Sequence, residues 1–480
     1  MTTLAAALAG ILPAGGVITD PVGMEPYCLD WRGRFSARPA CVIRPASTEE
    51  VAAAVQLCVS HGAAIYPQGG NTGLCYGAVP GAGEKSVVLS LGRMTRIRSI
   101  EKASNSLICD AGCVLASIHD AAASVGRRFP LHLGSEGSAQ IGGLVSTNAG
   151  GTGVVRYGPM RDLVYGLEVV LADGRVWNGL TTLRKDNTAY DIKHLFIGAE
   201  GSLGIVTAAS LKLFPALKSR ADAWVAVESP RNALELLTRC QDEFDTAIQA
   251  FELLSRSEVE IGLANVAGNR IPFETAPPWS VLIELGETHG EAGLVARLEL
   301  ILAEAAEAGE VADAAIAQNE TQAKSFWRLR HTLSEANKRH GLSHTHDISV
   351  PVSAVPRFIA EADRMLADRY PSAMPVVVSH MGDGNVHYIA MFSFADWQGV
   401  ADKQAAIDDL QTRVHDIAVS LGGSFSAEHG IGRKLVGELE RLTSPLELEL
   451  IRRVKTAFDP DERLNPGVVL RQGRAGGART

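Results

Sequence analysis

The sequence predicts an α+β protein of two or three domains, and three observations lead to this fold class. The chain has 480 residues, which is enough for two or three hydrophobic cores of ordinary size. Near the N-terminus, a strand, a capped helix and a second strand form a βαβ-like pattern. In the second half, apolar strands alternate with long helices, which is typical of an α+β domain built on an antiparallel sheet.

The βαβ-like pattern begins with a short apolar strand at 41–45 and ends with another at 64–67. Between the strands, Ser47 and Glu50 have the spacing of a capping box, in which two side chains accept hydrogen bonds from otherwise unpaired backbone N–H groups. The helix that they open ends at Gly62, since glycine readily adopts the conformation that terminates helices. We therefore expect this unit to begin the first domain.

A glycine-rich segment at 68–74 follows the second strand directly. Because glycine has no Cβ, its backbone N–H groups can converge on an anion. The segment matches neither a Walker loop nor the G-x-G-x-x-G pattern, so Rossmann-type nicotinamide binding is not supported. By itself it would be an ordinary turn, but a second glycine-rich segment at 134–158 alters that interpretation. Two such loops in one domain suit a long cofactor that contains a diphosphate.

The remaining elements follow from hairpin signals, alternation and helix-forming composition. Asp173 and Gly174 join two strands in a hairpin, and Pro215 marks the exit from the first domain. Beyond it we expect strands at 223–227, 251–254 and 279–285 and helices at 232–243, 291–308 and 325–338. These elements make up the α+β second domain.

The second domain also carries two histidines beside a tight turn. Strands on both sides of a four-residue loop at 382–385 place His380 opposite His387, with Cβ atoms about 5 Å apart on one face. Two imidazoles so placed can bind one divalent metal ion, although histidines that merely flank a turn fit the spacing equally well. Glu428 and His429, which follow a glycine pair, add a carboxylate and a third imidazole. A set of His380, His387 and Glu428 leaves coordination positions open, as in catalytic metal sites. Zn²⁺ is the expected ion, with Mn²⁺, Fe²⁺ or Co²⁺ as alternatives.

Composition and charge exclude several classes of function. The apolar fraction of 46% and the charged fraction of 21% are ordinary for a soluble globular protein. The net charge of −9 argues against a nucleic-acid partner. No apolar run reaches the ~18 residues that span a bilayer, and the apolar start of the chain lacks the Lys or Arg that precedes the core of a signal peptide. Seven cysteines, an odd number without zinc-ribbon spacing, indicate reduced thiols and a cytoplasmic protein.

Four segments in fixed order resemble the FAD-binding domain of the vanillyl-alcohol-oxidase-type flavoproteins: 67–74, 141–151, 183–188 and 198–204. The resemblance is nearest to the branch of FAD-dependent D-2-hydroxyacid dehydrogenases, which includes D-2-hydroxyglutarate and D-lactate dehydrogenases and the glycolate oxidase D subunit. It implies a two-part FAD-binding domain and a ferredoxin-like α+β cap domain. The implied limits are 1–37 for an N-terminal helical segment, 38–215 for the FAD-binding domain, 216–455 for the substrate (cap) domain with the metal site, and 456–480 for a C-terminal segment that returns to the FAD-binding domain.

The resemblance also implies which residues bind FAD. The diphosphate is expected at the loop of residues 68–74, and the isoalloxazine near Gly142, Gly143 and Thr147. That loop contains no histidine for a covalent link, so the FAD is expected to be bound noncovalently. The full set of implied contacts is Pro67, Gln68, Gly69, Gly70, Asn71, Thr72, Gly73, Leu74, Gly134, Ser135, Ser138, Gly142, Gly143, Thr147, Asn148, Gly150, Gly151, Glu200, Gly204, Ile205 and Asn465.

Further residues are implied to contact the substrate. Arg330 matches the family position that pairs with the substrate carboxylate, a group that its planar guanidinium suits. Ser334 lies one helical turn further on, and His429 is the candidate base. Thr345 stands where family members usually carry Lys, and Ile389 stands where D-2-hydroxyglutarate members carry Asn. Because a cation and an amide are both replaced, we expect a substrate with a less polar side chain than 2-hydroxyglutarate.

The expected reaction is the oxidation of a D-2-hydroxyacid to the 2-oxoacid. The metal acidifies the α-hydroxyl, and the hydride passes to flavin N5. An electron-transfer flavoprotein, a quinone or a cytochrome then accepts the electrons. An FAD oxidase that uses O₂ is an alternative, as is an alkyl-dihydroxyacetone-phosphate synthase-like reaction, which the metal cluster disfavours. Outside this reaction class, the same motifs would suit an electron-relay subunit of a larger complex or, less well, a metal-binding regulatory protein. A homodimer is a candidate assembly.

Overall fold

The computed structural model describes residues 3–290 and 293–472. The first two residues of the helix predicted at 291–308, and residues 473–480 of the predicted C-terminal segment, lie outside this range. None of the helices in the described part of the chain is both long and apolar enough to cross a lipid bilayer.

The described chain contains both helices and strands. The helices are α1 (Leu4–Ile11), α2 (Pro21–Cys28), α3 (Thr48–Ser60), α4 (Leu115–Ser124), α5 (Ile141–Ser146), α6 (Val154–Tyr157), α7 (Met160–Leu163), α8 (Lys193–Phe196), α9 (Pro230–Phe244), α10 (Arg256–Asn265), α11 (Leu294–Glu307), α12 (Glu320–His340), α13 (Val355–Arg369), α14 (Phe394–Gly399), α15 (Lys403–Ser420), α16 (Val436–Leu442) and α17 (Pro445–Phe458). The strands are β1 (Val17–Ile18), β2 (Pro39–Ile43), β3 (Ala64–Gln68), β4 (Gly83–Ser90), β5 (Ile97–Glu101), β6 (Ser106–Asp110), β7 (Arg127–Arg128), β8 (Val164–Val170), β9 (Val176–Asn178), β10 (Ile205–Lys212), β11 (Phe214–Pro215), β12 (Ser219–Val227), β13 (Ile248–Ser255), β14 (Trp279–Glu287), β15 (Asp313–Ile316), β16 (Leu342–Ser349), β17 (Ala373–His380) and β18 (Asn385–Phe392).

The chain divides into two compact units. Unit 1 comprises the described residues up to Gly150, Pro159–Pro215 and the described residues from Glu428 onward, and unit 2 comprises Gly151–Gly158 and Ala216–Ala427. The expected limit between residues 215 and 216 coincides with this division. The chain returns to unit 1 at residue 428, however, rather than at 456.

Two long-range hydrogen bonds accompany the two differences from the expected limits. The short helix α6 belongs to unit 2, where Arg156 donates a hydrogen bond to the carbonyl of Gly286 at 2.8 Å. The C-terminal helices belong to unit 1, where Lys455 Nζ donates to the carbonyl of Ser202 at 2.7 Å. Neither contact has a signature in the local sequence, because its partners are more than a hundred residues apart.

Unit 1 contains the predicted βαβ-like unit and two main sheets. In the first sheet, with strand order β1-β2-β4-β3, both β2 and β3 pair in parallel with β4. Helix α3 connects β2 to β3 and buries Val51, Ala54 and Val55. Ser47 Oγ accepts a hydrogen bond from the Glu50 N–H at 3.2 Å, which confirms the predicted N-cap. The second sheet is antiparallel, with strand order β5-β6-β10-β8-β9.

Unit 2 is built on a seven-stranded antiparallel sheet with strand order β15-β12-β14-β13-β17-β18-β16. Helices α9, α11, α13 and α15 cover one face, where Leu237, Phe358 and Leu410 join a large hydrophobic core. Helices α10 and α12 cover part of the other face through a smaller cluster that includes Val259 and Leu329. This arrangement agrees with the α+β class that the sequence predicts.

The turn between β17 and β18 differs from the prediction. The loop comprises residues 381–384, one position earlier than expected, because Gly384 turns the chain in the left-handed region (φ 84°). His380 therefore pairs with Asn385 and not with His387. Because side chains alternate between faces with a period of two residues, this shift of two positions in register leaves both histidines on the same face.

A buried carboxyl group joins helices α10 and α12 in unit 2. Ser255 Oγ caps α10 by accepting a hydrogen bond from the Glu258 N–H at 3.4 Å. Asn337 Nδ2 donates to Glu258 Oε1 at 2.9 Å, whereas Oε2 has no hydrogen-bond partner among the described residues. Burial outweighs the Asn337 hydrogen bond and the charge of Arg330, and it raises the pKa of Glu258 to about 8. The carboxyl group is therefore mainly protonated at neutral pH.

We expect Glu258→Gln to change the pH dependence of stability. The pKa of Glu258 is raised above its ordinary value of 4.5 in the folded state, so its stabilising contribution is complete below that value and is lost as the pH rises through about 8. The glutamine variant lacks this titration. Between about pH 5 and pH 8, its free energy of unfolding should therefore increase relative to the parent by on the order of 3 kcal/mol. Urea unfolding at several pH values measures the difference, and a difference independent of pH would contradict the expectation.

Candidate active site

A cavity in unit 1 is lined by residues of both predicted glycine-rich segments. It encloses about 870 Å³ of space, part of which is open to solvent. The residues predicted to bind FAD that line it are Pro67, Gln68, Gly69, Gly70, Asn71, Thr72, Gly73, Gly142, Gly143, Thr147, Glu200, Gly204, Ile205 and Asn465. His429, the predicted base, lines the same cavity.

The other predicted FAD residues are not among those that line the cavity in the described chain: Leu74, Gly134, Ser135, Ser138, Asn148, Gly150 and Gly151. Several residues that line the cavity are not among those predicted from the sequence: Cys75, Gly77, Ala78, Leu91, Ala139, Gln140, Leu144, Ser146, Gly201 and Val206. Most of these adjoin a predicted contact, so a slightly longer loop would have included them. Leu91 has no such signal, because only the parallel pairing of β3 and β4 brings it there.

Two features of the cavity fit a large polar cofactor. A Cβ added to Gly73 or to Gly143 would meet no atom within 4 Å, so both glycines leave space beside the backbone. Gln140 Oε1 and Asn465 Oδ1 are buried without a hydrogen-bond partner among the described residues. Because buried polar atoms are nearly always paired in proteins, these oxygens call for a ligand that donates hydrogen bonds. The ribityl hydroxyls and the ring N–H of FAD are donors of this kind.

Glu200 is buried in unit 1 and holds the loop that follows His429. Its Oε1 accepts hydrogen bonds from the N–H groups of Ile431 at 2.8 Å and Gly432 at 3.1 Å, and its Oε2 accepts from Gly432 at 3.0 Å. Asn465 Nδ2 donates to the Glu200 carbonyl at 2.7 Å. Burial raises the pKa of Glu200, although the backbone N–H groups oppose this effect. The sequence predicts a cofactor contact at Glu200, and the structure adds a positioning role.

His380 and His387 lie on one face of the unit 2 sheet, with ring centroids 5.4 Å apart. Each ring has a carboxylate near Nδ1: Glu252 Oε1 lies 2.6 Å from His380 Nδ1, and Asp347 Oδ1 lies 3.6 Å from His387 Nδ1. The 2.6 Å contact places a proton on Nδ1 of His380, so that Nε2 of this ring carries the lone pair when the imidazole is neutral, whereas the 3.6 Å contact of His387 is longer than a hydrogen bond. Imidazoles oriented in this way are typical of metal ligands. Neither carboxylate is among the site residues predicted from the sequence.

Glu252 is a buried carboxylate that bridges His380 and Arg330. Its side chain is 1% exposed, and Arg330 Nε donates a hydrogen bond to Oε2 at 2.6 Å. Burial raises the pKa of Glu252, but the charges and hydrogen bonds of His380 and Arg330 outweigh it and lower the pKa to about 2. Arg330 Nη2 also lies 3.4 Å from His380 Nε2, so a carboxylate bound at Nη2, or an ion bound at Nε2, would replace this contact. The only sequence signal for Glu252 is a single charged residue within an apolar strand.

The two departures from the family pattern, Thr345 and Ile389, are directly paired across β16 and β18. They lie on the same face as His387, because Ile389 is two residues further along β18. Ile389 is buried, whereas Thr345 is partly exposed. Ser334 lies one turn beyond Arg330 on α12 and is exposed. Thr345 and Ile389, the two departures from the family pattern, therefore lie beside the candidate metal ligand His387.

Glu428 and His429 are at the point where the chain leaves unit 2 and enters unit 1. The preceding residue, Ala427, is tied to unit 2, where its N–H donates to the carbonyl of Asp347 at 3.2 Å. His429 Nε2 lies 3.6 Å from Glu428 Oε1. The carboxylate and the imidazole of the predicted second cluster therefore lie close to each other.

Comparison with protein families defines the class of protein. Residues 39–179 match a family model described as an FAD binding domain. Residues 217–469 match a second model, described as the C-terminal domain of FAD linked oxidases. The cavity and its unpaired oxygens thus lie in a chain with the domain composition of FAD-linked oxidases.

Comparison with characterised proteins narrows the class to a family. The chain is 36% identical over 460 residues to the mitochondrial D-2-hydroxyglutarate dehydrogenase of Arabidopsis thaliana, covering 96% of this chain and 80% of that protein. It is 35% identical to the D-2-hydroxyglutarate dehydrogenase of Stutzerimonas stutzeri, covering 96% and 97% of the two chains. The chain therefore belongs to the FAD-dependent D-2-hydroxyacid dehydrogenases of the vanillyl-alcohol-oxidase type, as its motifs predict. Its reaction is the flavin-dependent oxidation of a D-2-hydroxyacid.

Solved structures support the fold. A p-cresol methylhydroxylase with bound substrate matches with a TM-score of 0.75 at 16% identity, covering 98% of this chain and 96% of that chain. An alkyldihydroxyacetonephosphate synthase matches with a TM-score of 0.73 at 15% identity, covering 96% and 84%. At these identities the similarity concerns the fold alone, and it confirms the predicted fold class.

We expect Glu200→Gln to destabilise unit 1 and to weaken FAD retention. Glutamine has one acceptor oxygen. If this oxygen takes the place of Oε1, it still accepts from Ile431 and Gly432, but the amide N–H₂ group then replaces Oε2 and faces the N–H of Gly432, so that a buried amide donor lacks an acceptor there. Leaving such a buried donor unpaired costs roughly 1–3 kcal/mol. Urea unfolding and the flavin absorbance that remains after gel filtration measure the two effects. The exposed residue Glu101 provides a matched control, Glu101→Gln. Unchanged stability and flavin content in Glu200→Gln would contradict this role.

Proposed function

We propose that this chain oxidises a D-2-hydroxyacid whose side chain is less polar than that of 2-hydroxyglutarate. We also propose that His380, His387 and Glu428 bind a divalent metal ion that assists the reaction. The observation that carries the metal assignment is the pair of imidazoles on one sheet face, each with a carboxylate near Nδ1. The relatives named as D-2-hydroxyglutarate dehydrogenases support the class of substrate.

The chemistry of the three side chains fits an ion of the zinc class. The Nε2 atoms of the two histidines provide nitrogen ligands. Glu428 directly follows Ala427, whose backbone is hydrogen-bonded to Asp347, the strand partner of His387. Since consecutive Cα atoms are about 3.8 Å apart, Glu428 begins close to this part of the sheet. Two imidazoles and one carboxylate suit Zn²⁺, with Mn²⁺, Fe²⁺ or Co²⁺ as alternatives. A bound ion supplies a Lewis acid that lowers the pKa of a hydroxyl group.

The cavity residues of unit 1 are proposed to hold FAD noncovalently, as the absence of histidine from residues 68–74 implies. FAD supplies the hydride acceptor when it is bound. The glycines of residues 68–74 allow close approach of the backbone to its diphosphate. Gln140 and Asn465 provide buried acceptor oxygens for its donors.

Arg330 and His429 are proposed to act on the substrate. The Nη1 and Nη2 groups of Arg330 match a carboxylate in a bidentate arrangement. Glu252 fixes the guanidinium through Nε, so its plane is oriented before the substrate binds. His429 accepts the hydroxyl proton, because a neutral imidazole is a base near physiological pH. Ser334, one turn from Arg330, is a further proposed substrate contact.

Thr345 and Ile389 are proposed to determine the preference for the substrate side chain. They face each other across β16 and β18 on the sheet face that carries His387. The hydroxyl-bearing side chain of Thr345 and the branched alkyl side chain of Ile389 provide neither a positive charge nor an amide group that could bind a second carboxylate of the substrate. A substrate with a shorter or less polar side chain therefore has a smaller free-energy cost of desolvation at this position.

We further propose that an external acceptor, such as an electron-transfer flavoprotein, a quinone or a cytochrome, takes the electrons from the reduced flavin. We also propose that the protein acts in a reducing compartment such as the cytoplasm. None of the seven cysteines, all of which lie in the described ranges, forms a disulfide, which supports a reducing environment. Peroxide release in air would instead favour an FAD oxidase. Failure of all D-2-hydroxyacids to reduce the flavin would favour an electron-relay subunit.

A D-2-hydroxyacid such as D-lactate should bleach the bound FAD of the purified protein under anaerobic conditions. Removal of the metal with a chelator should slow bleaching, and added Zn²⁺ or Mn²⁺ should restore it. His387→Ala should slow bleaching by about 100-fold or more, since loss of an outer-shell partner alone costs about 10–100-fold. His340→Ala, at an exposed position on α12, provides the control. Bleaching at the parent rate after chelation and in His387→Ala would exclude a metal role.

The double substitution Thr345→Lys and Ile389→Asn should shift specificity toward D-2-hydroxyglutarate. A hydrogen bond to a charged group contributes about 1.5–3 kcal/mol. The kcat/KM for D-2-hydroxyglutarate relative to D-lactate should therefore rise about 10–100-fold. Ser343→Lys, which adds a lysine two residues earlier on the same strand face, is the matched control. A parent enzyme that already has its highest kcat/KM with D-2-hydroxyglutarate would contradict the proposed preference.

A further inference from the structure

A second cluster of metal-ligating side chains lies in unit 1 and shares no residue with the sites above. His119 is on helix α4, and His132 and Glu136 are on the segment after β7. One ligand atom of each residue lies within 4.8 Å of the other two. The Nδ1 atoms of His119 and His132 lie 3.8 and 3.4 Å from Glu136 Oε2. Ligands about 2.0–2.1 Å from a tetrahedral Zn²⁺ lie about 3.3 Å apart, so small side-chain shifts would complete the geometry.

His119 is already oriented for coordination by the hydrogen bond of its other nitrogen. Its Nε2 lies 2.9 Å from the carbonyl oxygen of Leu131. A carbonyl only accepts, so Nε2 carries the proton, and the lone pair of Nδ1 is on the side of Glu136. Histidines that bind metals commonly donate their second N–H to a carbonyl in this way.

The backbone fixes the two halves of the cluster relative to each other. The N–H of Ala116, in the first turn of α4, donates to the carbonyl of Glu136 at 3.1 Å. His119 lies three residues beyond Ala116, so its side chain leaves the same side of the helix. The rings of His119 and His132 have centroids 4.7 Å apart. The three groups are thus brought together by the fold and not only by long flexible side chains.

We propose that His119, His132 and Glu136 bind a second divalent ion of the zinc class. Two imidazole nitrogens and one carboxylate oxygen form a ligand set that suits Zn²⁺. The side chains of His132 and Glu136 are each 44% exposed, so an ion enters from solvent and water completes its coordination. The ion joins helix α4 to the segment that continues to Ala139 and Gln140 in the wall of the cavity.

Metal counting on the purified FAD-containing protein tests this site. After treatment with a chelator, Zn²⁺ is titrated against a colorimetric competitor, and tightly bound equivalents are counted. His132→Asn and Glu136→Gln should each lose one equivalent, with affinity reduced by more than about 100-fold, since loss of an outer-shell partner alone costs about 10–100-fold. His61→Asn, at an exposed histidine of unit 1, should lose none. Full Zn²⁺ binding in both ligand variants would overturn the proposal.

His132→Cys provides a second test that does not depend on loss of binding. A thiolate is itself a zinc-class ligand, so this variant should keep the equivalent. With Co²⁺ it should show a thiolate-to-cobalt absorption band that the parent lacks, and a Co²⁺-loaded variant without that band would count against the site. His387→Ala separates this inference from the proposed function. That variant should retain the equivalent that His132→Asn loses, even if the metal role of His387 proves wrong.

Discussion

A carboxylate removed from water must be compensated by cations or hydrogen bonds, or it takes up a proton. Glu252, in the middle of the unit 2 sheet, meets this requirement by bonding to both Arg330 and His380. One buried charge therefore fixes the plane of a guanidinium and the tautomer of an imidazole together. Breaking such a buried network by removing one partner costs about 3–5 kcal/mol, so the arrangement also stabilises the fold of unit 2.

The alternation of the sheet extends this arrangement along one face. Glu252 pairs with His380 across β13 and β17, and Asp347 pairs with His387 across β16 and β18. Thr345 and Ile389 occupy the next same-face pair. Because side chains alternate with a period of two residues, the two imidazoles and their neighbouring carboxylates lie on the same face of the sheet as Thr345 and Ile389, although some of these residues are far apart along the chain.

Unit 1 contains another buried carboxyl group, which is compensated by a different kind of partner. Glu200 is compensated by the N–H dipoles of Ile431 and Gly432 rather than by full charges. Burial accordingly raises the pKa of Glu200, whereas the interactions with His380 and Arg330 outweigh burial and lower the pKa of Glu252. The carboxyl group of Glu200 nevertheless positions the loop after His429, which links this cavity residue to the turn between α8 and β10, more than two hundred residues earlier.

Local patterns in the chain were sufficient to predict the fold class, the capped helix α3, the glycine loops of the cavity and the presence of both histidines on one face. These features depend on periodicity, turn chemistry and segments with recognisable order. The domain return at residue 428, the strand register of His380 and the partners Glu252, Asp347 and Gln140 became apparent only in the folded chain. These features depend on pairing between distant segments. A single charged residue in an apolar strand, such as Glu252, does not show which distant side chain will pair with it.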